Sequence, residues 1–372
     1  MYTEINKVGE IMRKRVMWID IARGIAMLSM IVGHSLFQYT FSGVGRYIYA
    51  VHMPLFFILS GYLYREKTYE KELKGAAKNL LLPYFATSLV MIAVFFVAQL
   101  KSPWLVQNYP ASFDDLLSAV FYGIGVGSKV PFPTYVYPIG ALWFLMAMMI
   151  ALQIFNLIIV LTKGMTNKRF VRLFVISIFA VLGKITASVW LLPLSFNAAL
   201  FALVFLYVGY LMREENVLEH ISHIMVIVGL LAWIIAASNQ MFQLAMVEAP
   251  DALLSVIGAV GGTLVVVKFS QWIAKVGTVA KMLGRVGQFS IIVLCFHNVD
   301  LTFSMVPTMI MSSSFTQNVI LKIVIINLYR LIIPVLALVL IPRIPGVRSL
   351  YLNRQYPFLK RKPDLVVKKK TN

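Results

Sequence analysis

Apolar residues fall in long runs with little alternation, separated by short charged clusters and by stretches bearing Pro and Gly. Ten runs stand out, at roughly 17–37, 47–64, 79–100, 139–162, 171–191, 195–212, 222–238, 252–270, 287–306 and 319–341. Most approach the roughly 20 residues that a helix needs to cross about 30 Å of hydrocarbon. A membrane barrel would instead show alternating segments of about 10 residues, and runs such as Val90–Ala98 do not alternate. In lipid, backbone polar groups must be satisfied within the segment, which favours helices. The expected fold is therefore all-α: a polytopic integral membrane protein with about ten transmembrane helices. The first run contains Asp20 and Arg23 and lacks a clear small-residue cleavage site, so it is expected to be a retained span rather than a signal peptide.

Composition strengthens this picture. Sixty per cent of the 372 residues are hydrophobic and 13% are charged, against about 45–50% and 25% in soluble domains. The net charge of +19 would suggest nucleic acid in a soluble protein, but here the charges sit between apolar runs. Of the 34 Lys and Arg, 27 fall in alternate segments that share one side with the N-terminus, and only Arg46, Lys101 and Lys129 fall on the other. By the positive-inside rule both termini are expected in the cytoplasm. The expected organisation is a basic N-terminal segment over 1–16, a membrane domain over 17–341, and a basic tail over 342–372. That tail ends Lys368-Lys369-Lys370 and is expected to touch anionic headgroups. The segment 101–138 is the longest outside the spans; Pro131, Pro133 and Pro138 argue against a continuous helix there. It reads as a lid, a re-entrant surface or a loop resting on the membrane. The single cysteine, Cys295, excludes an internal disulfide and a Cys-based metal cage. Cys295 is also two residues from His297, so the two do not share a helix face as a nucleophile pair.

Ionisable residues inside spans are costly and therefore mark candidate chemistry. They are Asp20, Arg23, His34, His52, Lys184, His297, Asp300 and Arg330. Arg23 and His34 are eleven positions apart, within about 20° of a full number of turns, so they share a helix face, about 16 Å apart along the axis. Asp20 lies three residues before Arg23, close enough to pair with it. His52, at the same depth as His34 but on the next span, is a candidate neighbour. Asp300 or His297 is a candidate partner for Arg330, and Lys184 is a further midplane cation. His220 and His223 read as part of a polar turn, and no metal site is expected. Walker loops, dinucleotide fingerprints, HExxH and GxSxG are absent from the sequence. A transporter or flippase for an envelope sugar or lipid-linked glycan also fits midplane charges and a proline-bearing span.

The run Trp18-Ile-Asp-Ile-Ala-Arg23-Gly followed by Gly33-His34-Ser35 resembles the opening of the type-three membrane acyltransferases. Their first-helix signature is a basic residue, ten residues, then His. The resemblance continues through His52-Met-Pro-Leu-Phe-Phe-Ile-Leu-Ser60-Gly61-Tyr62, Leu81-Leu82-Pro83-Tyr84, Leu142-Trp143-Phe144-Leu145, Phe289-Ser290 and Phe296-His297. The single Pro before Tyr84 looks like the fucose acetylase-related branch. The arginine-rich stretch usual before the third span is replaced by Lys74 and Lys78, which bind phosphate only as point charges. An appended esterase-like domain is not expected.

The resemblance implies an O-acetyltransferase of the bacterial plasma membrane, moving acetyl from cytoplasmic acetyl-CoA to a hydroxyl of a cell-surface polysaccharide or its lipid-linked precursor. His34 is the implied base. His52 or His297 would orient it or stabilise the oxyanion. Asp20 would hold Arg23 towards the donor, Ser60 and Gly61 would line the passage between helices, and Lys74 and Lys78 would contact donor phosphate. Direct transfer and a two-step route through a transient acyl-imidazole on His34 are both compatible with the resemblance. Expected partners are acetyl-CoA, a glycan or glycolipid acceptor and membrane lipids, with no nucleic acid and no permanently bound cofactor; self-association is left open.

Overall fold

A computed structural model describes residues 16–100, 104–106, 110–131 and 135–358. Lys7, Arg13, Lys14 and Arg15 of the basic N-terminal segment, Lys101, Pro133 and Lys368-Lys369-Lys370 of the tail lie outside the described residues. The helices are α1 (Met17–His34), α2 (Val44–Leu63), α3 (Tyr69–Ala76), α4 (Leu82–Ala98), α5 (Phe113–Tyr122), α6 (Trp143–Leu161), α7 (Lys168–Val189) and α8 (Phe196–Glu214). They continue as α9 (His223–Asn239), α10 (Ala252–Ile273), α11 (Gly277–Gln288), α12 (Ser290–Phe303), α13 (Val306–Ser312), α14 (Val319–Leu340) and α15 (Val347–Tyr351). The sheet among the described residues is one antiparallel pair, β1 (Ser128–Lys129) and β2 (Tyr135–Val136), with Ser128 opposite Val136.

Every one of the ten expected runs falls on helix, but fewer qualify as full spans. Among the described residues, seven helical stretches are long and apolar enough to cross a membrane, and α11 with α12 makes an eighth only as a pair bent by 71°. The shortfall has local causes. Helix α2 carries Arg46, His52 and Pro54 in its 20 residues, and α9 has only 17 residues. The chain is thus an all-α, multi-pass membrane protein, with seven or eight spans among the described residues meeting this criterion where about ten were expected.

Close backbone approach holds the centre together. Helix α2 packs on α1, α8 and α10. A Cβ at Gly61 would run into the Leu206 carbonyl of α8, and one at Gly209 into the Ile58 carbonyl of α2. Small residues permit such approach, which is how helices associate where lipid removes the hydrophobic drive. Gly24 and Gly287 do the same between α1 and α11, against the carbonyls of Leu283 and Asp20. Apolar side chains on α7 and α9 point outward instead, among them Phe170, Phe174, Ile185, Ile224 and Ile235, as a lipid-facing surface requires.

The segment between α4 and α6 is more folded than its prolines suggest. Ser112 and Asp115 form a reciprocal capping box at the start of α5, and Gly123 (φ 66°) ends that helix in the left-handed region. Ile124, Val130, Val136 and Leu191 then form a small core of their own. A π-helical turn over Ala77–Leu81 joins α3 to α4, just before Pro83, which has no N–H to continue the ladder. Between α9 and α10, Gln240 clasps Asp251 through two hydrogen bonds, at 2.8 and 2.7 Å. The strap so closed inserts Phe242 and Leu244 into the bundle.

Candidate active site

Four helices bring polar side chains together at the end of the bundle where α1 finishes. His34 is the last residue of α1. Its Nδ1 lies 3.2 Å from Nε2 of His297 on α12. The two rings stack with centroids 5.4 Å apart and planes 11° from parallel. Arg330 of α14 donates from Nη1 to the His34 carbonyl at 3.1 Å, and its Nε stands 3.9 Å from Asp300 Oδ2. Asp300 and Arg330 are both buried, so this ion pair sits inside the bundle, as charges at membrane depth generally do. It ties α12 to α14 and, through the carbonyl, to the end of α1.

Helix α2 supplies the other wall. His52 Nδ1 is 2.8 Å from the Ile48 carbonyl. A carbonyl only accepts, so Nδ1 carries the proton, and Nε2 of a neutral His52 is left as an acceptor. The Tyr49 ring stands between the two histidines, 6.2 Å from His34 and edge-on to His52 at 5.0 Å. Gly33 leaves room for that ring, since a Cβ there would lie 3.1 Å from it. His34, Tyr49 and His52 share a cavity of about 140 Å³ with Met30, Trp143 and Gln243. The α5–α6 connection contributes Gly125 and Gly140, and the strap contributes Gln243 and Leu244. Gly140 is in the left-handed region (φ 71°), facing Asn298, whose Nδ2 donates to the Ile139 carbonyl at 3.1 Å.

His34, His52, His297, Asp300 and Arg330 are therefore gathered at one end. The rest lie apart from this cluster. Asp20 and Arg23 are near the start of α1, each partly buried, one helix face below His34. Gly61 faces the α8 backbone and serves packing, and Ser60 beside it is partly exposed. Lys184 donates to the Pro250 carbonyl at 3.1 Å, at the bundle's exposed edge. Lys74 is exposed and paired with Glu70 four residues earlier, and Lys78 is exposed on the π turn. Tyr49 and Gln243 were not anticipated. Tyr49 had a signal, its place three residues before His52 on the same helix face; Gln243 had none, because only the folded strap brings it over α1.

These features define a multi-pass helical membrane protein with an imidazole pair buried beside a small cavity. The family model described as an acyltransferase domain (acyltransferase 3) matches residues 16–341, and the chain belongs to that family. It is a membrane acyltransferase. No curated protein and no solved structure matches the chain.

Proposed function

We propose that this acyltransferase moves an acetyl group from acetyl-CoA to a hydroxyl of a cell-surface polysaccharide or its lipid-linked precursor, in a bacterial plasma membrane. The observation that carries the reading is the 3.2 Å contact between His34 Nδ1 and His297 Nε2 beside the cavity. In the productive tautomer His34 Nδ1–H donates to His297 Nε2, and His297 keeps its own proton on Nδ1. The lone pair of His34 Nε2 is then available to the cavity. An imidazole so held is a general base for a hydroxyl that is a poor nucleophile on its own. The acceptor O–H gives its proton to His34 Nε2 as its oxygen bonds to the thioester carbon. The tetrahedral intermediate collapses, the C–S bond breaks, and the departing sulfur takes the proton back from His34. The ester and the free thiol leave.

His52 donates its N–H to Ile48, so as a neutral ring it shapes the cavity rather than stabilising an oxyanion. Arg330 holds the His34 backbone in place, and Asp300 balances its charge. Asp20 and Arg23 act on the donor side. The acetyl donor and the glycan acceptor follow from the sequence resemblance, and the family match favours acyl transfer over the carrier alternative.

The test compares a deletion strain carrying the wild-type protein with one carrying equally expressed His34→Ala. Base-labile acetate on purified envelope glycans should be present with the former and lost with the latter. Equal acetate in both would remove His34 from the chemistry. Acetate trapped on His34 in the absence of acceptor would overturn direct transfer.

A further inference from the structure

A second cavity, of about 530 Å³, opens at the opposite end of the bundle, where α1 begins and α2 and α8 end. Trp18, Tyr62, Arg65, Tyr210, Arg213 and Glu219 line it. Arg65 donates to the Tyr64 carbonyl at 3.0 Å, and Arg213 donates to the same carbonyl. Two guanidiniums thus converge on one neutral acceptor despite their like charge. Among the described residues Arg213 makes no ion pair. The neighbouring acids are engaged: Glu214 pairs with Arg169 at 3.2 Å, and Glu219 accepts from the Tyr62 hydroxyl at 3.2 Å. The lining is also aromatic, with Trp18 and Tyr62 ring centroids 5.9 Å apart and planes inclined by 58°.

A ligand matching both the arginines and the aromatic rings carries phosphates and a flat heterocycle. Guanidinium is the cation best shaped to grip phosphate oxygens in pairs, and aromatic rings accept a planar base on their faces. Lys74, by contrast, is held by Glu70 on an exposed helix. We infer that this cavity binds the nucleotide end of the acyl-CoA donor, with its phosphates against Arg65 and Arg213 and its adenine against Trp18 and Tyr62. The inference rests on the acetyl-CoA reading given above. Trp18 and His34 are separated by about 24 Å of helix rise, which the donor has to span from its adenine to its acyl carbon to reach the outer cavity. The site lies outside the donor contacts that the sequence suggested at Lys74 and Lys78.

The test uses the full-length protein in lipid nanodiscs. Calorimetric titration with coenzyme A should show Arg213→Gln and Arg65→Gln each weakening binding by about tenfold, the loss expected for a charge-assisted phosphate contact. A second measurement separates binding from folding: the ratio of kcat/KM for acetyl-CoA to that for acetylpantetheine, which has no nucleotide. That ratio should fall about tenfold in each variant, whereas a merely structural defect lowers both donors alike and leaves it intact. Affinity within about twofold of wild type, or an unchanged ratio, would overturn the location while leaving the donor reading standing. A wild-type protein that neither binds coenzyme A nor turns over either donor would overturn both.

Discussion

At one end of α1, His34 faces a cavity of about 140 Å³ whose polar side chains include two imidazoles, a phenol and the Gln243 amide; at the other, Trp18 faces one of about 530 Å³ edged by two arginines. The first has room for an acyl group and a hydroxyl, but not for a nucleotide. The second has the room and two guanidiniums for a large anion, but no imidazole, and its two glutamates are engaged with Arg169 and Tyr62. On the donor site proposed above, separating them would let binding energy gathered far from the reacting carbon position the thioester beside His34, which is where remote contacts serve catalysis best. The two ends should therefore fail in different ways when altered.

The largest effect should come from the His34 end. His34→Ala is expected to lower kcat by about 10²–10⁴-fold, read as thiol released from acetyl-CoA, with little change in coenzyme A affinity. A matching loss of coenzyme A binding would break the division between the two cavities. Next is Arg330→Leu, which strands the Asp300 carboxylate in the bundle. Removing one partner of a buried pair costs about 3–5 kcal/mol, and the melting temperature in detergent should fall accordingly. Asp300→Asn in the same background should recover part of that loss, since no carboxylate is then left unpaired. His297→Ala should lower kcat by about 10–100-fold, less than His34→Ala, because the base survives but loses the acceptor that holds its tautomer. Its KM for acetyl-CoA should hold, which Arg213→Gln should not match. Smallest is Gly287→Ala, whose Cβ meets the Asp20 carbonyl and pushes α11 off α1. Overpacking of this kind costs about 1–3 kcal/mol, again visible in the melting temperature.

Much of this architecture was legible along the chain, and the exceptions have identifiable causes. Helical runs were clear because lipid demands long apolar segments. The break at Phe289 was not, since Gly277–Gln288 is amphipathic and reads as a loop between spans. Helix α5 was hidden behind the prolines that follow it, although Ser112, Asp115 and Gly123 marked both its ends. Each site histidine could be named singly from its cost in a membrane. Which one faces His34 could not: depth put His52 beside it, whereas the fold brings in His297 from 263 positions away and turns His52 Nδ1 to the Ile48 carbonyl. The pairing of Asp300 with Arg330 was foreseen as one of two choices; the hold of Arg330 on the His34 carbonyl was not, since a backbone acceptor leaves no mark in the sequence. Arg65 and Arg213 passed as ordinary topological charges for the same reason.

The bend between α11 and α12 also bears on how the protein is made. Helix α12 has 14 residues and rises about 21 Å, short of the roughly 30 Å of hydrocarbon. Its buried His297, Asn298 and Asp300 further weaken it as a segment that could lodge in lipid unaided. Insertion proceeds from the N-terminus, so α12 emerges before the helix that carries Arg330. During biogenesis the Asp300 carboxylate has to wait for its counter-charge until α14 brings Arg330. His34 can meet His297 once α12 is in place, but the hold of Arg330 on the His34 carbonyl and the pairing of Asp300 come only at the close of assembly.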